Sequence, residues 1–230
     1  MSSLGKRAFF GNLLSARMGR LVPDVPGLIL TATIWMYYGV SIPLLVARVR
    51  RRSGNPVGLL PELRLERAMW VLWTPLMAAW IVLPYLALTR RHPLLAVPAV
   101  ALADPVASAV RWVAAGCAVL CFLMILECIV RMGKNWRIGV VPSQSTDLVT
   151  GGLYARVRHP IYALNIFLMI CSAVVVPTIP MMAIGALHIG LILIKARNEE
   201  RFLLEAHGQR YADYCRRTGR FFPRLISRDG

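Results

Sequence analysis

The sequence predicts an all-α fold, a polytopic membrane helix bundle of about five transmembrane helices with a C-terminal helical hairpin and an amphipathic tail. Hydrophobic residues make up 57% of the 230-residue chain, and only 17% of the residues are charged. The mean hydropathy is +0.57, far more apolar than an average soluble domain. Apolar stretches also recur along the chain, and three of them reach the roughly 20 residues that a helix needs to cross a bilayer.

The predicted long spans lie, in chain order, near 27–47, 69–88 and 109–130. A further apolar stretch, 161–194, lacks any Asp, Glu, Lys or Arg and is broken near its middle by Pro177 and Pro180. We expect this stretch to enter the membrane, turn at the prolines and return as two helices of about 16 residues each, shorter than a usual span. Such arms are poorly tilted, lie where the bilayer is thinned, or extend into the flanking motifs. The two ends of the stretch would then lie at the same membrane face.

The charge distribution predicts the orientation. The net charge is +16, which is also typical of nucleic-acid binding, but a basic excess beside apolar spans more often reflects topology. Lys and Arg number six in 48–68, five in 131–160 and nine in 195–230, against two in 89–108. We therefore expect an integral membrane protein with its active site facing the cytoplasm and no nucleic-acid partner.

The N-terminal segment conflicts with this orientation. Its four basic residues, Lys6, Arg7, Arg17 and Arg20, would fall on the outer side. Either the segment lies on the membrane as an amphipathic element, or the number of spans differs by one. The oligomeric state is not predicted.

The five cysteines show neither a CxxC pair nor the His/Cys spacing of a zinc site. Four of them, Cys117, Cys121, Cys128 and Cys171, lie inside predicted spans, where cysteine behaves as a small apolar residue. We expect no disulfide and no metal site.

Two polar fragments flank the predicted hairpin, Gly151–Tyr162 and Lys195–Leu204. In the first, two glycines permit a turn with positive φ, Arg158 and His159 offer donors, and Pro160 suits the first turn of a helix. Such a loop at a helix N-terminus can bind an anion.

The second fragment carries Arg197, Glu199 and Glu200, whose two carboxylates can accept hydrogen bonds from a ribose diol or pair with an ammonium group. The plainer interpretation is a set of interfacial charges at a helix end. A third polar feature ends the third span, where Glu127 and Arg131 are spaced i, i+4 and can pair. That pair is either functional or only neutralises itself at the end of the span.

One ligand matches these groups. S-adenosylmethionine carries a carboxylate, an ammonium and a ribose, and its sulfonium methyl group needs mainly alignment with an acceptor in a dry pocket. This makes S-adenosylmethionine the predicted cofactor.

The chain resembles the isoprenylcysteine carboxyl methyltransferase family and the related phospholipid methyltransferases. The matching motifs are Arg-His-Pro-x-Tyr at 158–162, Arg-Asn-Glu-Glu at 197–200, Tyr-x-x-Tyr at 211–214 and Thr-Gly-Arg-Phe-Phe-Pro at 218–223. The resemblance implies that Glu127, Arg131 and Arg158 act in catalysis, with the first two facing the methyl acceptor. It also implies cofactor-binding roles for Leu153, Tyr154, His159, Pro160, Tyr162, Arg197, Glu199 and Glu200.

The resemblance divides the chain into residues 1–110, an N-terminal membrane region expected to select the acceptor, and residues 111–230, a methyltransferase core. The expected activity is methyl transfer to a lipophilic acceptor from the bilayer, foremost a carboxylate of the prenylcysteine type. Alternatives are a phospholipid or other lipid-amine N-methyltransferase, a small-thiol S-methyltransferase, a sterol-reductase-type enzyme using NADPH, and a non-catalytic membrane scaffold. In the tail, 198–224, an apolar helix face is predicted from Phe202, Leu203, Ala206, Tyr211 and Tyr214.

Overall fold

A computed structural model describes residues 23–53, 64–89, 92–133, 136 and 148–224. The regular elements are α1 (Val25–Trp35), a π-helical segment (Met36–Ser41), α2 (Ile42–Ser53), α3 (Arg64–Thr89), α4 (Ala99–Ala103), α5 (Pro105–Met132), a 3-10 turn (Gly152–Ala155), α6 (Pro160–Val175), α7 (Ile179–His207) and α8 (Gln209–Arg217). In this part of the chain the regular elements are all helical and form a bundle, which confirms the predicted fold class. The predicted amphipathic element before the first span lies outside the described residues.

Four helical segments are long and apolar enough to cross a membrane: Val25–Arg48, Arg67–Thr89, Pro105–Met132 and Ile179–His207. They confirm the three predicted long spans. The helix Pro160–Val175 is shorter, with 16 residues, as predicted for the first arm of the hairpin.

The second arm of the hairpin is longer than predicted. Helix α7 runs for 29 residues, through the whole second polar fragment, and ends at Gly208 with a φ of 53°. Of the predicted alternatives, the structure shows extension into the flanking fragment, because a helix does not end where its apolar residues end. Polar residues such as Glu199 continue the backbone hydrogen bonds beyond the apolar part. The turn itself lies at the prolines, since α6 ends at Val175 and the Thr178 hydroxyl caps α7.

The core of the bundle forms where α5 and α6 pack together, with α1 and α7 beside them. Along α5 the buried positions are mostly small, with Ala115 and Ala118 fully buried and Cys121 nearly so. Small side chains let neighbouring helix backbones approach closely in a membrane, where packing contributes much of the stability.

A buried ion pair holds the bundle at the hairpin-turn end. Arg111 donates to Asp24 at 2.5 Å and, through Nε, to the Val175 carbonyl at 2.8 Å, and both charged side chains are 4% exposed. Asp24 also caps α1 by accepting from the Gly27 amide. The pair therefore ties α1, α5 and the end of α6 together, while the polar fragments gather at the opposite end.

All five cysteines are free thiols. Among the residues that the structure describes, no group of three or more His, Cys, Asp or Glu side chains has the arrangement of a metal site.

Candidate functional site

The structure brings the two polar fragments together at the open end of the hairpin. Tyr162 on α6 donates its hydroxyl to Glu199 Oε1 on α7 over 2.5 Å. His159 bridges the neighbouring carboxylates, with Nδ1 at 3.7 Å from Glu199 Oε2 and Nε2 at 3.3 Å from Glu200 Oε1. The His159 ring stacks on Tyr162, with centroids 5.4 Å apart and an interplanar angle of 8°. Two helices therefore present a fixed set of hydrogen-bonding atoms.

The loop before α6 is shaped by a glycine and a proline. Gly152 is the first residue of the 3-10 turn and has a φ of 64°. A Cβ at this position would lie 2.9 Å from Arg131 Cδ. Pro160 occupies the first turn of α6, where its missing N–H costs nothing. The positive φ expected at the glycine pair is thus present at Gly152, and an arginine side chain of α5 lies close to it.

The C-terminal segment lies against this loop. The amides of Arg158 and His159 donate to the carbonyls of Gly219 and Arg220, at 2.8 and 3.0 Å. The Gly219 amide in turn donates to the Arg156 carbonyl at 3.1 Å. This short backbone pairing fixes the loop from outside the bundle.

Glu200 anchors that pairing through two arginines. Arg158 Nε donates to Glu200 Oε1 over 2.9 Å, and Arg220 Nε donates to Glu200 Oε2 over 3.0 Å. The hydrogen bond with Glu200 raises the pKa of the Arg220 guanidinium. Arg158 also donates to the carbonyls of Cys215 and Thr218. The network joins the loop, α7 and the C-terminal segment.

A cavity of about 660 Å³ opens beside these residues, within the usual size range of small-molecule sites. Its polar end is formed by Arg158, His159, Tyr162 and Glu199. The wall away from that end is mostly aromatic and apolar and comes from the N-terminal half and α7: Tyr37, Tyr38, Ile42, Trp70, Trp73, Met77, Ile81, His188 and Ile192.

A buried cation also lines the cavity. Lys195 is 6% exposed and places Nζ at 5.5 Å from the ring centroid of Trp73. The same tryptophan donates its indole N–H to His188 Nε2, two turns before Lys195 on α7. Trp73 therefore connects a positively charged side chain and a histidine at the wall.

Two tyrosines of α8 close the cavity from the C-terminal side. Tyr211 and Tyr214 are buried and lie in its lining. The Tyr214 hydroxyl donates to the Tyr154 carbonyl over 2.6 Å, and burial raises the pKa of Tyr214 to about 12. Tyr214 thus remains a neutral phenol that holds α8 onto the loop before α6.

Comparison with known proteins identifies this segment of the chain. Residues 114–205 match the model of the isoprenylcysteine carboxyl methyltransferase (ICMT) family. The match covers 92 of the 230 residues, so this segment resembles the family. The resemblance predicted from the motifs is thereby confirmed.

Two curated relatives and one solved structure are similar to the chain. The nickel-cobalt-cadmium resistance protein NccN of Alcaligenes xylosoxydans xylosoxydans is 33% identical over 115 residues, which cover 50% of this chain and 53% of that protein. The cobalt-zinc-cadmium resistance protein CzcN of Cupriavidus metallidurans is 33% identical over 96 residues, 41% of this chain and 44% of that protein. The chain thus spans about half the length of the curated relatives that it matches.

The solved structure is that of the eukaryotic intramembrane Ras methyltransferase ICMT. It is similar with a TM-score of 0.51 and 18% identity, over 86% of this chain and 74% of that chain. Because the identity is 18%, this similarity is evidence for a shared fold alone.

All the site residues predicted from the sequence lie within the ICMT-family segment, but only some line the cavity. Those in its wall are Tyr154, Arg158, His159, Pro160, Tyr162 and Glu199. Leu153, Arg197 and Glu200 do not line it, and Glu200 is directed to its two arginines instead. Arg197 is exposed at the surface of α7.

The predicted acceptor pair forms but stays outside the cavity wall. Arg131 Nη2 lies 2.8 Å from Glu127 Oε1, and these side chains are 52% and 53% exposed. Neither residue lines the cavity. The pairing predicted from the i, i+4 spacing is therefore present, and its role in binding an acceptor stays a prediction.

Sequence reasoning missed several cavity residues. His188 and Lys195 are polar positions in or beside an apolar span, and the rule that such residues are functional by default could have found them. Tyr37, Tyr38 and Trp73 lie outside the ICMT-family segment and gave no signal, because aromatic residues are ordinary in membrane helices.

Proposed function

We propose that the chain is an integral membrane methyltransferase that transfers a methyl group from S-adenosylmethionine to a lipophilic acceptor, foremost a carboxylate of the prenylcysteine type. The observation that carries the proposal is the two-part cavity. Its polar end is formed by side chains of the two family motifs, Arg158, His159, Tyr162 and Glu199. Its aromatic wall comes mainly from helices of the N-terminal half.

The polar end fits the chemistry of S-adenosylmethionine, which supplies an electrophilic methyl group when bound. The Glu199 carboxylate, held by Tyr162, can accept hydrogen bonds from ribose hydroxyls or an ammonium group. The His159 ring can donate to a carboxylate. Tyr154 and Tyr162 add aromatic faces, which favour a cationic sulfonium centre.

Lys195 is a second candidate for the acceptor side, beside the predicted Arg131. It lies one helical turn before Glu199, in the wall of the cavity. An ammonium group there can orient an acceptor carboxylate, and the Trp73 ring beside it can cover the acceptor's apolar portion. Alignment of two reactants in this way can contribute several kcal/mol to a methyl transfer.

The aromatic wall supports acceptor selection by residues 1–110. Trp70, Trp73 and Met77 lie on a helix long and apolar enough to span the membrane, so a lipophilic acceptor can approach them from the bilayer. Tyr211 and Tyr214 cover the opposite side and can exclude water from the reacting groups. The distribution of Lys and Arg supports a site that faces the cytoplasm.

The names of the two curated relatives concern resistance to nickel, cobalt, zinc and cadmium. The cavity itself is lined by Tyr, His, Glu, Lys and Trp side chains, and within the described ranges no group of three or more His, Cys, Asp or Glu could hold a metal ion.

Calorimetry on the purified, detergent-solubilised protein tests the proposal, with S-adenosylhomocysteine and NADPH as separate probes. We expect S-adenosylhomocysteine to bind and NADPH not to bind. NADPH binding alone would favour the reductase alternative, and binding of neither would favour the scaffold. Transfer of labelled methyl from S-adenosylmethionine is then measured with N-acetyl-S-farnesylcysteine, a lipid amine and a small thiol, to separate the three acceptor classes.

A further inference from the structure

The cavity contains a group of polar side chains on the wall that leads away from the cofactor end. Tyr37 and Tyr38 come from the π-helical segment, and Asn165 comes from α6. Asn165 follows Tyr162 by three residues, so it lies about 4.5 Å further along the helix towards the middle of the membrane. Tyr37 and Asn165 are only 4% and 8% exposed.

The π-helical segment brings two consecutive tyrosines to one cavity. The rings of Tyr37 and Tyr38 are 4.4 Å apart, and each ring is fixed by another aromatic side chain. Tyr37 packs on Phe122 at 5.8 Å, and Tyr38 meets Trp80 edge-on at 5.5 Å. Single π-helical turns within helices are rare and are frequent at functional sites. The two phenols are therefore held in place before any ligand binds.

The hydrogen bonds of this group leave an acceptor at Asn165. Asn165 Nδ2 donates to the Ile161 carbonyl at 2.9 Å, whereas Asn165 Oδ1 meets no hydrogen-bond donor within the described ranges. Tyr37 and Tyr38 line the same cavity, and a phenol can both donate and accept a hydrogen bond. The group therefore offers phenol donors in the same cavity as an amide acceptor.

A pure hydrocarbon chain is a poor match for this wall. A buried polar atom without a hydrogen-bond partner is destabilising, and methylene groups packed against Asn165 Oδ1 would leave it without one. A ligand with its own donor and acceptor at this depth would satisfy both the amide oxygen and a phenol. A hydroxyl group is the smallest group that does so.

We propose that Tyr37, Tyr38 and Asn165 form a subsite for a hydroxyl group carried by the apolar portion of the methyl acceptor. The inference rests on the proposed function and deepens it, since it names the acceptor class as a hydroxylated lipophilic molecule. Two of its three residues, Tyr37 and Tyr38, lie in the N-terminal half, outside the family-matched residues 114–205, whereas Asn165 lies within them.

The test compares three probes on the full-length, detergent-solubilised protein in the presence of S-adenosylhomocysteine. They are N-acetyl-S-decylcysteine, a series with one hydroxyl at successive chain positions, and the matching methoxy compounds. We expect one hydroxyl position to bind roughly three- to tenfold more tightly than the plain chain, the gain of a neutral hydrogen bond. The methoxy compound should lack this gain, because it accepts but does not donate.

Variants of the subsite residues test whether the tighter binding of the hydroxylated probe depends on them. Tyr37→Phe and Asn165→Leu should each reduce the hydroxyl preference to about that of the plain chain, with thermal unfolding measured to verify folding. Tyr85→Phe is the matched control, since Tyr85 lies on α3 outside the cavity and is 47% exposed. It should keep the preference.

Several results would overturn the subsite: no hydroxyl preference in the unmodified protein, an unchanged preference in both folded variants, or no probe binding while S-adenosylhomocysteine binds. If S-adenosylhomocysteine itself fails to bind, the proposed function fails instead. The two failures are therefore distinguishable.

Discussion

Arg158 and Glu200 are 42 residues apart in the chain and form a hydrogen-bonded ion pair of 2.9 Å across the mouth of the hairpin. Their side chains are 12% and 13% exposed. Arg158 also holds the backbone of the C-terminal segment through the Cys215 and Thr218 carbonyls. The pair therefore positions the loop that carries His159, the ring that meets both carboxylates of α7.

Removing the carboxylate should destabilise this end of the protein. In Glu200→Gln, Arg158 and Arg220 lose their charged partner while Arg158 stays largely buried, and we expect the free energy of unfolding to fall by on the order of 3 kcal/mol. Thermal or denaturant unfolding in detergent measures the change. Asp213→Asn is the control, because Asp213 and Arg216 form an exposed pair. It should change stability by less than about 1 kcal/mol, and an equal loss in both variants would contradict this role of Glu200.

Loss of the other carboxylate should weaken cofactor binding rather than folding. In Glu199→Gln, the group beside Tyr162 and His159 loses its charge, and we expect S-adenosylhomocysteine to bind roughly tenfold more weakly, as for a lost charge-assisted hydrogen bond. Isothermal calorimetry measures the affinity. Glu205→Gln, an exposed position on the same helix, should bind as the unmodified protein does. Unchanged affinity in Glu199→Gln would remove Glu199 from the cofactor site.

Arg131 and Lys195 are competing candidates for the acceptor carboxylate, and single substitutions can separate them. We expect Lys195→Met to lower kcat/KM for a prenylcysteine-type acceptor by roughly 10- to 100-fold, because a charge-assisted contact within a buried cavity is lost. Arg131→Met should have the smaller effect, since Arg131 is half exposed and outside the cavity wall. Methyl transfer is measured with cofactor affinity in parallel. The reverse order would return the acceptor role to Arg131.

The neighbouring glycines before α6 should respond differently to alanine. Gly152 has a φ of 64°, and an added Cβ would meet the Arg131 side chain, so Gly152→Ala should lower stability by about 1–2 kcal/mol. Gly151 has a φ of −93° and nothing within 4 Å of an added Cβ. Gly151→Ala should therefore stay within about 0.5 kcal/mol of the unmodified protein in the same unfolding measurement. Similar losses would show that the loop does not depend on the conformation of Gly152.

Hydropathy was sufficient to predict the membrane-spanning helices of the fold. The three long spans follow from the requirement that a membrane helix be apolar over its whole crossing. The turn follows from Pro177 and Pro180, because proline interrupts a helix. The end of α7 did not follow, because hydropathy marks where a helix leaves the membrane and not where its hydrogen bonds stop. The ion pair of Asp24 with Arg111 was also missed, since two charges 87 residues apart have no local pattern that relates them.

The sequence by itself determined the membrane setting, the hairpin and the two motifs of the candidate site, because each depends on residues that are close in the chain. The tertiary structure decided which of those residues share a cavity. It placed Glu199 and His159 in the wall, directed Glu200 to its arginines and left Arg131 outside. It also added residues from the N-terminal half, such as Tyr37, since contact between distant helices depends on how their surfaces pack and not on sequence spacing.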